Sequence, residues 1–450
     1  MKKFNKFYFK KFEFNDSSLQ ATFSYSFDNE VFFEEIIDFN NRWFKVRNDF
    51  DIKALNNLLF HLHIALGISY YKASPTKDMV LESGILNEDQ MSFWRKFYLN
   101  WLWEFLYSNN ISPDNLFNFK NESSKIYEKI DFNIWKKTLI SVWWWKDSIV
   151  SIELLKKSWL EFDLFVFWKN DDLKSNTAKI ANKNILLVKR IISSKLFELN
   201  NEGYYNWHVP ITWIIAFVKE VTAYLFDYKY LILSNEKSAN FWNIVWGDLS
   251  INHQYSKSLD FEKDFSEYII KYISNDVKYF SLLRWMYEVK IAELFVKYWK
   301  EYFSVFSSCN KNFTINKNNN ITRWLWCNKC PKCLFVYSIL RPYLNDDEII
   351  NIFWEDLFNR KDLEWLFRKL LGISWFKPFE CVWEKEEVIY SMYKSLTKYD
   401  KLPYILKIFK EEILDKMNNQ DIKNIQKKLV TIYNEDIIPA EFKKLIFKNI

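Results

Sequence analysis

Two short stretches concentrate the residues able to do chemistry. The first is SVWWWKDSIVS at 141–151, where Lys146, Asp147 and Ser148 follow an apolar run and open a helix-like pattern. A lysine at such a junction can neutralise a bound anion, an aspartate can help hold a divalent cation, and a serine can donate to an oxyanion. The helix N-terminus adds its own positive dipole. The second stretch, RWLWCNKCPKC, supplies Cys327, Cys330 and Cys333. Cys-x2-Cys spacing makes a knuckle whose thiolates converge on one tetrahedral metal. Pro331 suits the first turn of a helix, which sets Cys333 one turn along and facing the same point. Cys309 is the natural fourth ligand. Zinc is expected ahead of an iron–sulfur cluster, because nothing else in the sequence points to redox work. Outside these stretches, His208, His253, Glu236 and Cys381 are candidate general acids or bases. Arg190, Asn235, Lys257 and Arg284 are candidates for binding the phosphates or carboxylates of a substrate. The two other histidines, His61 and His63, lie in an apolar helical stretch and read as structural.

The composition contains one anomaly. Glycine occurs 5 times and tryptophan 22 times in 450 residues. At the usual glycine share of about 7%, roughly 31 would be expected, and the two counts together come close to that figure. Only glycine fills left-handed turn and helix-end positions without penalty. The tryptophans stand where glycine belongs: three in a row before Lys146, between Asn206 and His208, and flanking Cys327. We read many of them as glycine, encoded by UGA in the native host and translated as tryptophan here. The alternative is a tryptophan-rich protein that binds glycans or membrane surfaces, which leaves the missing glycine unexplained.

The elements that must position these residues follow from periodicity. Residues 3–27 alternate aromatic and polar side chains, as a two-stranded antiparallel start would, and helical patterns run over about 52–66 and 89–107. From about 135 strands and helices alternate. TLISV (138–142), FDLFVF (162–167), ILLV (185–188) and YLIL (230–233) are strands, and an apolar helix opens at Pro210. The expected fold class is α/β, a parallel sheet with helices on both faces. The expected divisions are an N-terminal α+β segment at 1–130, an α/β domain at 131–300, and a mainly helical region with the cysteine cluster at 301–450. Polar signals fall where each strand ends: Lys146–Ser148, Lys169 with Asn170, Arg190, and Ser234–Glu236. Parallel sheets bind ligands at that edge. A net charge of +6 spread along the chain suits a nucleotide and is too diffuse to argue for nucleic acid. Charges interrupt the basic N-terminus, so a signal peptide is not expected. The longest apolar run, about Trp207 to Val218, is too short to span a bilayer. With no even disulfide framework among the 5 cysteines, the expected compartment is the cytoplasm.

With tryptophan read as glycine, 141–151 becomes SVGGGKDSIVS. This resembles the pyrophosphate loop of ATP pyrophosphatases, with glycine at 143 where the wider motif prefers serine. On that resemblance Trp143, Trp144 and Trp145 stand at backbone positions that cradle ATP phosphates with Lys146, Asp147 and Ser148. The fold it implies is ATP-pyrophosphatase-like, of the adenine nucleotide alpha hydrolase type. Longer strings carry a narrower resemblance: YNWHVPIT (205–212), LSNEKSAN (233–240), INHQYSKSLDFE (251–262), YFSLLRWMYEVKIAELF (279–295), SSCNKNF (307–313), the cysteine run and KPFECVWEKEE (377–387). Together, over roughly 60–390, they are similar to the UDP-N-acetylmuramoyl-L-alanyl-L-glutamate epimerase family. The resemblance implies an ATP- and Mg2+-dependent inversion of the terminal L-glutamate to the D form in peptidoglycan precursor synthesis, with release of AMP and diphosphate. A UDP-linked dipeptide is then the partner, and nucleic acid is not. The rival enzyme readings are a deazaguanine nitrile synthase or a tRNA-modifying ATP pyrophosphatase. The rival from another class is a protein that stacks RNA or glycans on its aromatic side chains.

Overall fold

The computed structural model describes residues 2–48, 51–134, 137–143, 145–158, 160–169, 171–208, 211–240, 244–246, 249–251, 255–313, 325–373, 384–433 and 435–447. The chain opens as an antiparallel meander of β1 (Lys6–Asn15), β2 (Gln20–Phe27) and β3 (Val31–Asp38). Phe7 and Phe9 of β1, and Phe23, Tyr25 and Phe27 of β2, fall at alternate positions and are fully buried in one core, as the period of two requires. Helix α1 (Ile52–Tyr71) covers the buried face. Gly67 lets it approach: a Cβ there would come within 2.4 Å of the Phe9 ring. Strands β4 (Asp78–Leu81) and β5 (Asn118–Asn121) extend the sheet in parallel beyond β1, with α2 (Glu88–Ser108) between them in sequence.

The second half of the sheet is built from strand–helix repeats. These are β6 (Lys137–Ser141), α3 (Lys146–Lys157), β7 (Phe162–Trp168), α4 (Asp172–Ala181), β8 (Ile185–Ile191), α5 (Ser194–Asn201), α6 (Ile211–Phe226) and β9 (Tyr228–Leu233). After a small hairpin of β10 (Ile244–Trp246) and β11 (Leu249–Ile251) come α7 (Leu259–Tyr272) and the edge strand β12 (Lys278–Ser281). The ten-stranded order is β12-β9-β6-β7-β8-β3-β2-β1-β4-β5. Alternate residues of the parallel strands enter two separate cores. Leu139, Phe165 and Leu231 face α1, α2 and α6, while Ile140, Leu164 and Ile232 face α3 and α8 (Glu288–Tyr298). Both faces are thus covered, as a parallel sheet requires.

Beyond α8 the described chain is helical: α9 (Pro331–Leu340), α10 (Asp346–Phe353), α11 (Glu364–Leu370), α12 (Lys385–Ser395), α13 (Tyr404–Glu412), α14 (Asn419–Val430) and α15 (Ala440–Phe447). The expectation of an α/β fold with a helical, cysteine-bearing C-terminal part holds. The purely parallel sheet needs correction, because the meander joins it edge to edge: β3 pairs antiparallel with β8. Strands on both sides of residue 130 therefore share one sheet. No helix among the described residues is long and apolar enough to cross a membrane.

Candidate functional site

Strand β6 has parallel neighbours on both sides, β7 on one and β9 on the other. The strand order reverses there, and such a reversal opens a crevice beyond the carboxyl ends of the two strands that flank it. The 143–148 turn lies at that place. One buried group braces it: Lys219 of α6 donates to Ser141 Oγ (3.1 Å) and to the Ile232 carbonyl (2.9 Å), tying the ends of β6 and β9 together. The first turn of α3 is buried at Lys146, Asp147 and Ser148. Ser148 folds its hydroxyl back onto the turn, accepting from the Trp143 N–H (3.3 Å) and approaching the Trp143 and Trp145 carbonyls. The rings of Trp143 and Trp145 stack 6.0 Å apart beside it.

Charged groups from four elements meet at the turn. Lys146 pairs with Asp147 at 2.7 Å and with Glu288, the first residue of α8. Burial alone would lower the lysine's pKa; the two carboxylates overcome this and hold it above the ordinary value. Burial and then the Asp147 charge push Glu288 well above the usual carboxylate range, against the pull of Lys146. Glu236, just past β9, is raised by burial and by Asp147, with Lys257 opposing. Glu387 of α12 accepts from Ser238 Oγ (2.8 Å) and from the N–H of Val289 in α8 (3.4 Å), and burial lifts it to about 7. Sequence reasoning singled out neither Glu288 nor Glu387. Both stand inside the quoted strings 279–295 and 377–387, but nothing local marks a carboxylate as one that will face a distant loop.

The arginines expected to bind substrate are engaged elsewhere. Arg284 is fully buried and donates to the Glu236 carbonyl (2.7 Å), the Lys257 carbonyl (2.5 Å), Asn240 Oδ1 (3.3 Å) and Glu262 Oε1 (2.6 Å). It braces the segments that carry Glu236 and Lys257. Arg190 is likewise buried, bidentate on Glu35 (2.5 and 3.2 Å) with Ser69 at 2.6 Å, and it fastens β8 to β3. Their charges need buried partners, which Glu35 of β3 and Glu262 of α7 supply. Lys257 reaches the turn, 4.6 Å from the Trp145 ring centroid. Asn235 is buried beside Glu236, and its amide N–H group finds no partner among the described residues. His208 is exposed, with its ring near Trp207 (5.3 Å) and Trp101 of α2 (5.9 Å). Trp144, His253 and Cys381 lie outside the described residues. His61 and His63 are buried against backbone carbonyls, and desolvation depresses them to about 4 and about 3, as structural histidines should be.

The four cysteines come together. The thiols of Cys309, Cys327, Cys330 and Cys333 all lie within 4.8 Å of one another, with Cys327–Cys333 at 3.7 Å and Cys330–Cys333 at 3.4 Å. Four sulfurs about 2.3 Å from a central ion stand roughly 3.8 Å apart, so the set fits one tetrahedral metal and is far too open for a disulfide. Cys330 caps α9, Pro331 takes its first position, and Asn328 supplies the left-handed turn of the knuckle (φ 53°).

Fold and site together define a mixed α/β protein with a charged, strand-end crevice and a four-thiol centre on its helical part. Residues 1–282 match the MurL N-terminal domain and residues 305–424 the MurL C-terminal domain. The chain belongs to the MurL family. It is 30% identical over 388 residues to a UDP-N-acetyl-alpha-D-muramoyl-L-alanyl-L-glutamate epimerase of Xanthomonas oryzae pv. oryzae, covering 86% of this chain and 84% of that one. Epimerases of the same name from a Micromonospora species and from Salinispora tropica are also 30% identical, each covering 87% of this chain and 87% and 85% of their own. No solved structure gives a significant match.

Proposed function

We propose that the chain inverts the α-carbon of the terminal glutamate in UDP-N-acetylmuramoyl-L-alanyl-L-glutamate, the reaction named for its relatives, and that it uses ATP to do so. The observation that carries the ATP reading is the position of the 143–148 turn: it lies where the strand order reverses, at a helix N-terminus, with Lys146, Asp147, Glu236 and Glu288 around it. The fold in this reading is ATP-pyrophosphatase-like. Glycines at 143–145 let backbone N–H groups turn toward the phosphates.

The chemistry asks for activation. An α-proton beside a free carboxylate resists removal, because the carbanion would form next to a negative charge. Attack of the carboxylate on the α-phosphorus of ATP expels diphosphate and converts the carboxylate into an acyl adenylate. A base then takes the α-proton, positioned donors stabilise the enolate oxygen, and a proton returns on the opposite face. Water cleaves the acyl–phosphate bond and releases AMP. Asp147 is of the type and placement to hold Mg2+, which would supply charge neutralisation at the phosphates. Among the candidate bases, Glu236 stands nearest in charge to Asp147, and its raised pKa brings it toward the range a general base needs. His208, His253 and Cys381 remain alternatives for the second face. Zinc fits the four thiols. A nucleotide and a UDP-linked precursor as ligands support a cytoplasmic enzyme.

The test uses full-length chain carrying glycine at its UGA positions, supplied with ATP, Mg2+ and the L-glutamate precursor. D-glutamate product, AMP, diphosphate and solvent deuterium at the α-carbon are expected together. Epimerisation at full rate without ATP would defeat the adenylate route.

A further inference from the structure

The helical C-terminal part touches the crevice at more than one place. Lys332, in the first turn of α9, lies 4.3 Å from the centroid of the Trp145 ring. Glu387 of α12 does more than lie close, because it ties two site segments together. Helix α8 begins at Glu288, and its cap residue, Tyr287, makes no side-chain hydrogen bond to the first turn. The missing cap comes from Glu387, which is fully buried. One of its carboxylate oxygens accepts from the Val289 N–H at 3.4 Å. The other accepts from Ser238 Oγ at 2.8 Å and from the Glu384 N–H at 3.3 Å. Val289 follows Glu288, and Ser238 stands in the short turn Lys237–Asn240 directly after Glu236. One side chain of α12 therefore grips the neighbours of both glutamates whose charges act with those of Lys146 and Asp147.

We propose that Glu387 is a positioning residue for the reaction: it caps α8 from outside, sets Glu288 against Lys146, and so makes α12 part of the frame of the nucleotide site. The inference rests on the ATP-dependent reading given above. Docking α12 does not itself need a carboxylate. Val388 and Met392 already pack into the core that holds Val289, Ala292 and Phe295 of α8. Burying a carboxylate where an apolar side chain would fit seldom adds stability; its hydrogen bonds add direction. A carboxylate at a helix N-terminus pairs with a free N–H and meets the positive end of the dipole. Without it, the Val289 N–H and the Ser238 hydroxyl are left in the interior without their acceptor. The first turn of α8 then loses its fixed place, and Glu288 leads that turn.

The experiment follows ATP binding with Mg2+ by calorimetry on full-length, glycine-bearing chain, with metal content, thermal midpoint and epimerisation read on each protein. Glu387→Met keeps the volume and removes the acceptors. Glu387→Gln restores an acceptor for the Val289 N–H. Each is made again in a Glu288→Gln background. The expected result is an about tenfold or greater loss of ATP affinity in Glu387→Met, substantial recovery in Glu387→Gln, and unchanged metal content in both. In the Glu288→Gln background, Glu387→Met should cost less than about twofold, because the residue it acts through is already altered. Parent-like affinity in folded Glu387→Met overturns the proposal. So does an equal loss in the two backgrounds, which would make Glu387 a support of the fold alone. Both results leave the ATP reading standing. Should Glu387→Met not fold, Glu387→Asp, a carboxylate one methylene too short for Val289, takes its place in the cycle, and parent-like affinity there is equally fatal. A parent that epimerises at full rate without binding ATP defeats the ATP reading. The cycle is then read on epimerisation, where a loss confined to the Glu288 background upholds the positioning role and an equal loss in both overturns it.

Discussion

Trp168 and Trp354 have φ angles of 79° and 61°, in the left-handed region. Most other non-glycine residues there are asparagine or aspartate, which tolerate it; a bulky side chain pays about 1–2 kcal/mol. Trp354 also ends α10 at the position where helices favour glycine. Trp94 is the opposite case, fully buried with its indole N–H on Tyr268 Oη at 3.0 Å. The codons should therefore be UGA at 168 and 354 and UGG at 94, and peptides from the native host should carry glycine at the first two. UGG at both 168 and 354 would sink the recoding account, and Trp354→Gly should raise the denaturation midpoint. A second residue-scale expectation concerns Glu220, beside Lys219 in α6. Burial lifts it from 4.5 to about 8, with Lys219 opposing, and burial drops Lys219 well below the ordinary lysine value. The folded state then holds the Glu220 proton more tightly than the unfolded chain does. Its stabilisation is complete below about 4.5 and is lost as pH rises through about 8. Relative to Glu220→Gln, in which the opposing slope from Lys219 persists, the parent's denaturant midpoint should decline between about pH 5 and 8. Superimposable slopes would remove Glu220 from the account.

At the scale of elements, each functional side chain depends on a brace that is itself buried. The carbonyls of Glu236 and Lys257 both accept from one guanidinium, that of Arg284. Truncating it leaves Glu262 buried without its partner, which typically costs about 3–5 kcal/mol. Arg284→Met should lower the thermal midpoint and disorder the nucleotide site together; a large activity loss with an unchanged midpoint would instead mean that Arg284 meets the substrate directly. The knuckle before α9 is a second brace. Cys330→Ser or Cys333→Ser should lose the metal and destabilise the C-terminal helices in one step, measured by metal analysis and melting. Soluble, folded parent protein with no bound ion would refute the metal centre. The elements most legible beforehand were β6 to β9, because continuous apolar runs ending in polar clusters have few alternative readings. The short strands β4, β5 and β12, of four residues each, gave no such signal. They are strands because neighbours in the sheet pair with them.

For the molecule as a whole, the proposed reaction depends on the turn after β6. In the proposed cradle a non-glycine residue meets the left-handed backbone at a penalty, and the rings of Trp143 and Trp145 stack beside the turn. The chain with tryptophan at 143–145 should fold and yet fail to release diphosphate from ATP. Glycine at all three should be necessary for turnover, and Asp147→Ala in the glycine-bearing chain should abolish it with fold and metal content intact. Comparable turnover by the tryptophan-bearing chain would disprove the loop assignment. The amino-acid sequence by itself determined the α/β class, the place of the turn that follows β6, the grouping of the four cysteines and the family, since each rests on local period, spacing or composition. Only the tertiary structure decided that the N-terminal meander joins the same sheet through β3 and β8, that Arg190 and Arg284 serve as internal braces, that Glu288 and Lys332 reach the turn, and that Glu387 meets Ser238 and α8. The reason is physical. Pairing at a sheet edge and the neutralisation of buried charge are set by residues tens to hundreds of positions apart, and no local pattern in the chain records which of them will meet.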